Sequence, residues 1–156
     1  MSGTRERLET FIAAWRGRLC GDSAAVRFEV RPLDAPPGLH TVCADELVTS
    51  LGYQPIGRNW ELLDPAADRD APRSARAALV EAFGHNMVFA RNPWLGDAGA
   101  LAMAEDFLGC FDPESAQIVT NRMYFGWNPI TSATFEWAFV ACDRSAIALL
   151  LATDED

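Results

Sequence analysis

The chain contains no lysine: thirteen arginines stand alone against twenty-two acids, for a formal net charge of −9 over 156 residues. That absence removes the phosphate-gripping lysine of a P-loop, the Schiff-base lysine of an aldolase or pyridoxal-phosphate enzyme, and every lysine general base. Arginine in place of lysine throughout fits GC-rich coding better than selection for bidentate contacts, so it identifies no partner. Histidine is nearly as scarce, with His40 and His85 alone, and a metal centre would need carboxylates from distant segments. The four cysteines, Cys20, Cys43, Cys110 and Cys142, are separated by 22 to 66 residues, so no CxxC pair suggests zinc, an iron–sulfur cluster or a redox motif. Neither metal nor cofactor is expected.

Long apolar runs are also missing. The longest, Ala146 to Ala152, is seven residues, against roughly twenty for a spanning helix. Met1 to Glu9 is charged rather than apolar, which predicts no signal peptide, a cytoplasmic protein and reduced thiols. No serine lies in GxSxG, and SxxK is impossible without lysine. Gly96 to Gly99 precedes a helical pattern but lacks GxGxxG spacing, and its acidic surroundings would repel phosphate.

What the chain does have is hydrophobic bulk and unevenly placed acid. At 49% hydrophobic, with nine Phe, five Trp and two Tyr, it is long enough for one domain, residues 1–156, with a real core. Residues 1–78 balance at −1, whereas residues 79–156 balance at −8. No base occurs between Arg91 and Arg122, where Asp97, Glu105, Asp106, Asp112 and Glu114 fall. Such a field attracts a basic protein and repels nucleic acid and anionic membrane.

Periodicity predicts an α+β fold: an antiparallel sheet with a C-terminal three-stranded meander packed against three to four helices. Leu8, Phe11, Ile12, Trp15 and Leu19 form a helical stripe over Thr4–Leu19, with Thr4 as cap and Gly21 and Asp22 as its end. Ala25 to Leu33 alternates Val26, Phe28 and Val30 against Arg27, Glu29 and Arg31, the pattern of a strand with one wet face. Further helices are expected at Ala44–Leu51, closed by Gly52, after a Ser74 cap through Phe83, and from Asp97 to about Phe111. Asn59–Leu63 and Met87–Phe89 read as brief extended pieces. Strands follow at Gln117–Phe125, Thr134–Cys142 and Ala146–Ala152, the last without alternation and therefore covered on both faces.

Chemistry is sparse. His40 and Cys43 share a possible helical turn, a spacing that is usually incidental. His85 follows a helix end, where a cap or charge–dipole contact is the ordinary role and a general base the alternative. Glu136 sits between Phe135 and Trp137 in a strand, so a covered face requires a partner, for which Arg122 on the neighbouring strand is expected. Two functions are consistent with these residues. One is an acidic inhibitor of a basic partner such as a toxin enzyme, in the manner of immunity proteins, with Glu105, Asp106, Asp112, Glu114 and Trp127 as contacts. The other is a small enzyme or ligand-binding domain built on Arg122, Glu136, His85 and Tyr124. Mimicry of nucleic acid would demand carboxylates spaced like phosphates, which one dimension does not show.

Overall fold

In the computed structural model, which describes residues 3–20, 24–123 and 126–155, helices cover both faces of a five-stranded antiparallel sheet. In chain order the elements are α1 (Thr4–Leu19), β1 (Ala25–Pro32), α2 (His40–Ser50), β2 (Glu61–Leu63), α3 (Ala75–Phe83) and α4 (Gly96–Leu108). They continue with β3 (Gln117–Thr120), β4 (Arg122–Met123), β5 (Gly126–Trp127), β6 (Phe135–Cys142) and β7 (Ala146–Asp154). The sheet order is β1-β7-β6-β3-β2, with β4 and β5 forming a separate two-stranded ribbon. The α+β class is as expected. The C-terminal meander β3-β6-β7 is present, with the ribbon inserted between its first two strands.

Side-chain alternation assigns the two layers. Ala146, Ala148, Leu150 and Ala152 of β7, with Ile118, Phe139 and Ala141, meet Leu8, Phe11, Trp15, Leu79, Phe83, Met103 and Phe107 from α1, α3 and α4. Ile147, Leu149 and Leu151, with Val119, Ala138 and Val140, meet Ala44, Leu47 and Val48 of α2 and the indole of Trp60. β7 is therefore apolar on both sides because both sides are buried, each buried Leu or Ile contributing about 1.5–3 kcal/mol. The small alanines of its α1/α3/α4 face leave room for Phe83, Phe107 and Phe139, all fully enclosed.

Several local details differ from expectation. Thr4 does not cap α1; Gly3 occupies that position, and the Thr4 hydroxyl donates instead to buried Asp143 at 2.5 Å. The expected stop at Gly21 and Asp22 lies outside the described residues. α2 begins at His40 rather than Ala44, and Gly52 (φ 87°) adopts the left-handed conformation just after it. Ser74 does cap α3, accepting from the Ala77 N–H. Met87–Phe89 is a turn, not a strand: the Asn86 carboxamide accepts from the N–H groups of both Val88 and Phe89. α4 ends at Leu108, short of Phe111. No described helix is long and apolar enough to cross a membrane.

Candidate partner interface

The eleven acids of residues 79–156 fall into distinct groups once placed. Glu136, Asp143 and Asp154 are inside the fold. Glu81 and Asp97 face arginines, Arg122 at 3.5 Å and Arg69 at 2.9 Å. Glu155 accepts from Thr134, and Asp156 lies outside the described residues. Glu105, Asp106, Asp112 and Glu114 remain, all exposed, and none pairs with an arginine among the described ion pairs.

These four belong to one end of the molecule, and their backbone is fixed from below. Glu105 and Asp106 occupy the last turn of α4, where carbonyl dipoles already make a negative pole and no basic side chain of the helix offsets it. Arg7 of α1 reaches across to donate to the Cys110 carbonyl at 2.9 Å. Trp15 Nε1 donates to Asp106 at 2.8 Å, which anchors that carboxylate to α1. Asp112 accepts from the Glu114 N–H, and its own N–H donates to Asp143.

Asp143 organises this end. It is 1% exposed and accepts five hydrogen bonds, from Thr4 and Asp112 on one oxygen and from Ser145, twice, and Ala146 on the other. Burial pushes its carboxyl upward, but those donors outweigh it and hold the pKa below the ordinary 3.8. Sequence reading passed over Asp143. An acid directly after an apolar strand and before Arg-Ser is a turn signal, and only the tertiary approach of α1 and the Asp112 loop gives it more to do.

Trp127 is at the other end. It pairs with Arg122 across the ribbon and packs against Phe135 and Trp137, ring centroids 6.0 and 5.3 Å away. Since β6 runs from Phe135 to Cys142 before reaching Asp143, Trp127 stands roughly 20 Å from the acidic group. It is not part of that surface. Two open cavities, of about 340 and 350 Å³, flank the loop Thr131–Ala133 near it.

The expected Arg122–Glu136 ion pair does not form. Glu136 is wholly enclosed and accepts from Asn121 Nδ2 (2.6 Å), the Ile130 and Thr131 N–H groups (2.8 Å each) and the Thr131 hydroxyl (2.5 Å). Arg122 lies with Trp137, one residue along β6 and hence on the opposite face. Its guanidinium stacks 4.5 Å from the Trp137 ring centroid and donates to the Ala78 carbonyl. Burial lowers its pKa, and Glu81 works against that. The strand register accounts for this: β3 and β6 pair Thr120 with Phe139, and continuing that register sets Asn121 opposite Ala138 and Arg122 opposite Trp137. It is therefore Asn121 that shares the Glu136 face, where its side chain binds Glu136, the Ala138 N–H and the Asn128 carbonyl. His85 is exposed, in a loop bridged to Pro93, on the side of Asp97 rather than beside Glu136. Tyr124 lies outside the described residues. The four residues of the enzyme reading are thus not gathered among those described. His40 and Cys43 do share a turn of α2, but burial raises the Cys43 pKa, the reverse of an activated thiol.

Among the described residues no group of three or more His, Cys, Asp or Glu is arranged to hold a metal ion. No family model, curated protein or solved structure matches this chain.

Proposed function

We propose that the protein is a non-catalytic acidic binding protein that neutralises a basic partner enzyme, as immunity-type inhibitors of toxins do. The observation that carries this reading is the set of four exposed carboxylates, Glu105, Asp106, Asp112 and Glu114, at one end of the fold, which take part in none of the ion pairs among the described residues. Two of them stand at a helix C-terminus, where negative charge costs about 0.3–1 kcal/mol each; the Trp15 indole offsets that for Asp106, whereas no described hydrogen bond does so for the Glu105 carboxylate. A cationic surface approaching this end would be steered by the carboxylates and would relieve that repulsion.

The test uses Glu105→Gln, Asp106→Asn, Asp112→Asn and Glu114→Gln together. The amides keep oxygen acceptors for Trp15 and the Glu114 N–H, so the fold is retained. The protein should retain a basic enzyme at low salt and inhibit it, and release it at high salt. The neutral variant should associate about tenfold more slowly at low ionic strength. Equal association rates for the two forms, or no inhibition of any retained enzyme, would overturn the reading.

A further inference from the structure

The outer edge of β1 is a strand-pairing surface, and its chemistry is self-complementary. Leu33 N–H donates to the carbonyl of Ser145, the residue directly opposite it in the β1–β7 register. Antiparallel pairs alternate, so Arg31, Glu29 and Arg27 also direct their main-chain groups toward β7, and Val30, Phe28 and Val26 direct theirs outward. Pro32 shares the outward parity, where its missing N–H costs the sheet nothing. Asp143 N–H donating to Ala146 fixes the same parity from the β6 side of β7. β1 is the terminal strand of the sheet. Among the described residues no main-chain hydrogen bond outside the strand ladder reaches Val26, Phe28 or Val30.

Only registers that oppose outward residues to outward residues can extend the sheet. Centring two antiparallel copies on Phe28 sets Phe28 against Phe28, Val26 against Val30, and Arg27 against Glu29 of the other copy, twice by symmetry. Centring one residue earlier sets Arg27 against itself, and one residue later sets Glu29 against itself. Charge leaves two registers, this one and the one centred on Val30, where Glu29 meets Arg31; the latter sets Phe28 against Pro32, which has no N–H to donate, so the Phe28 register keeps more main-chain bonds. Val26, Phe28 and Val30 remain half-buried in the isolated chain, so pairing also removes apolar surface from water.

The helix above this edge agrees. α1 turns Arg7 and Trp15 toward α4, and its opposite flank, at helical spacing, carries Glu9, Ile12 and Arg16. Arg16 lies 5.6 Å over the Phe28 ring. An antiparallel second helix would bring this acid, apolar and basic row against its own reverse.

We infer that β1 pairs with β1 of a second copy, centred on Phe28, to form a two-fold dimer with a continuous ten-stranded sheet and about six new main-chain hydrogen bonds. The far edge, β2, has three residues, so assembly closes at the dimer.

Analytical ultracentrifugation of the full chain tests this directly. Wild type should sediment as a concentration-dependent dimer. Glu29→Arg sets like charges in opposition and should weaken dimerisation at least about tenfold. Arg27→Glu should do the same, and the double variant Arg27→Glu/Glu29→Arg should restore the dimer. Mixing the two single-variant chains should give a heterodimer, since every opposed pair is again of unlike sign; this arm needs only that each chain fold, which circular dichroism checks. A wild type monomeric at the highest soluble concentration overturns the inference. So does a dimer that Glu29→Arg leaves intact, or single variants that fail to associate when mixed.

Discussion

Replacing Asp143 by asparagine should remove a large fraction of the protein's stability, although the change is nearly isosteric. The carboxylate accepts five hydrogen bonds through two oxygens, and the amide offers one oxygen. Keeping that oxygen toward Ser145 and Ala146 preserves three bonds and turns the NH₂ toward Thr4 and the Asp112 N–H. The Thr4 hydroxyl can rotate to accept. The Asp112 N–H cannot, and is left facing a donor. One buried donor without a partner, together with loss of charge assistance in the bonds that survive, amounts to about 2–4 kcal/mol. Against a total of about 5–15 kcal/mol this is substantial, and with a urea slope of about 2 kcal/mol/M the midpoint should fall by about 1–2 M. Equilibrium urea unfolding followed by tryptophan fluorescence measures it. The pH dependence supplies a second check. Because the folded pKa of Asp143 is depressed below 3.8, its contribution is fully present above that value and is lost as pH falls through the folded pKa. The gap between wild type and Asp143→Asn should accordingly be constant near neutrality and narrow in acid. An unchanged midpoint at neutral pH would refute the hydrogen-bond account, and a gap that persists undiminished in strong acid would refute the role of ionisation.

Two further outcomes follow from buried polar and thiol groups. Glu136→Gln leaves at least one of the Asn121, Ile130 and Thr131 donors facing an NH₂ and should cost about 2–3 kcal/mol. Calorimetry should then show Tm lowered by about 5–10 °C, and a melt within 1–2 °C of wild type would contradict the assignment of those donors. Thiol titration near pH 8 should modify exposed Cys20 first and half-buried Cys43 more slowly. Cys110 and Cys142, whose pKa values burial raises to about 11, should react only on unfolding, and rapid native labelling of either would show that it is not enclosed.

The parts of the fold legible in the sequence are those where one periodicity acts over many residues. The stripe Leu8, Phe11, Trp15, Leu19 gave the span of α1, though not its cap, and Val26, Phe28, Val30 against Arg27, Glu29, Arg31 gave β1. The featureless apolarity of Ala146–Ala152 correctly implied two covered faces, which α2 on one side and α1, α3 and α4 on the other provide. What escaped depends on single residues and tertiary neighbours. The β3–β6 register sets Arg122 opposite Trp137 and leaves Asn121 on the face of Glu136, and alternation within each strand does not reveal which residues of two strands stand opposite. Met87–Phe89 has strand composition, yet the Asn86 side chain claims its N–H groups. For the acidic surface, the segment without arginine was plain in the sequence. Which of its carboxylates stay exposed, and that Trp127 stands at the far end of β6, follows only from the topology.

The place of β7 in the sheet bears on how the protein is made. β1 leaves the ribosome well before its neighbour, Ala146–Asp154, so Ala25 meets Thr153 only after every residue between them has been synthesised. Until then Val26, Phe28 and Val30 have a bare backbone on both sides, and the alanine-lined seat for Phe83 and Phe107 does not exist. Vectorial folding from the N-terminus is closed to this topology, and the nascent chain must wait, with its aromatic surface open to chaperones, for its central strand.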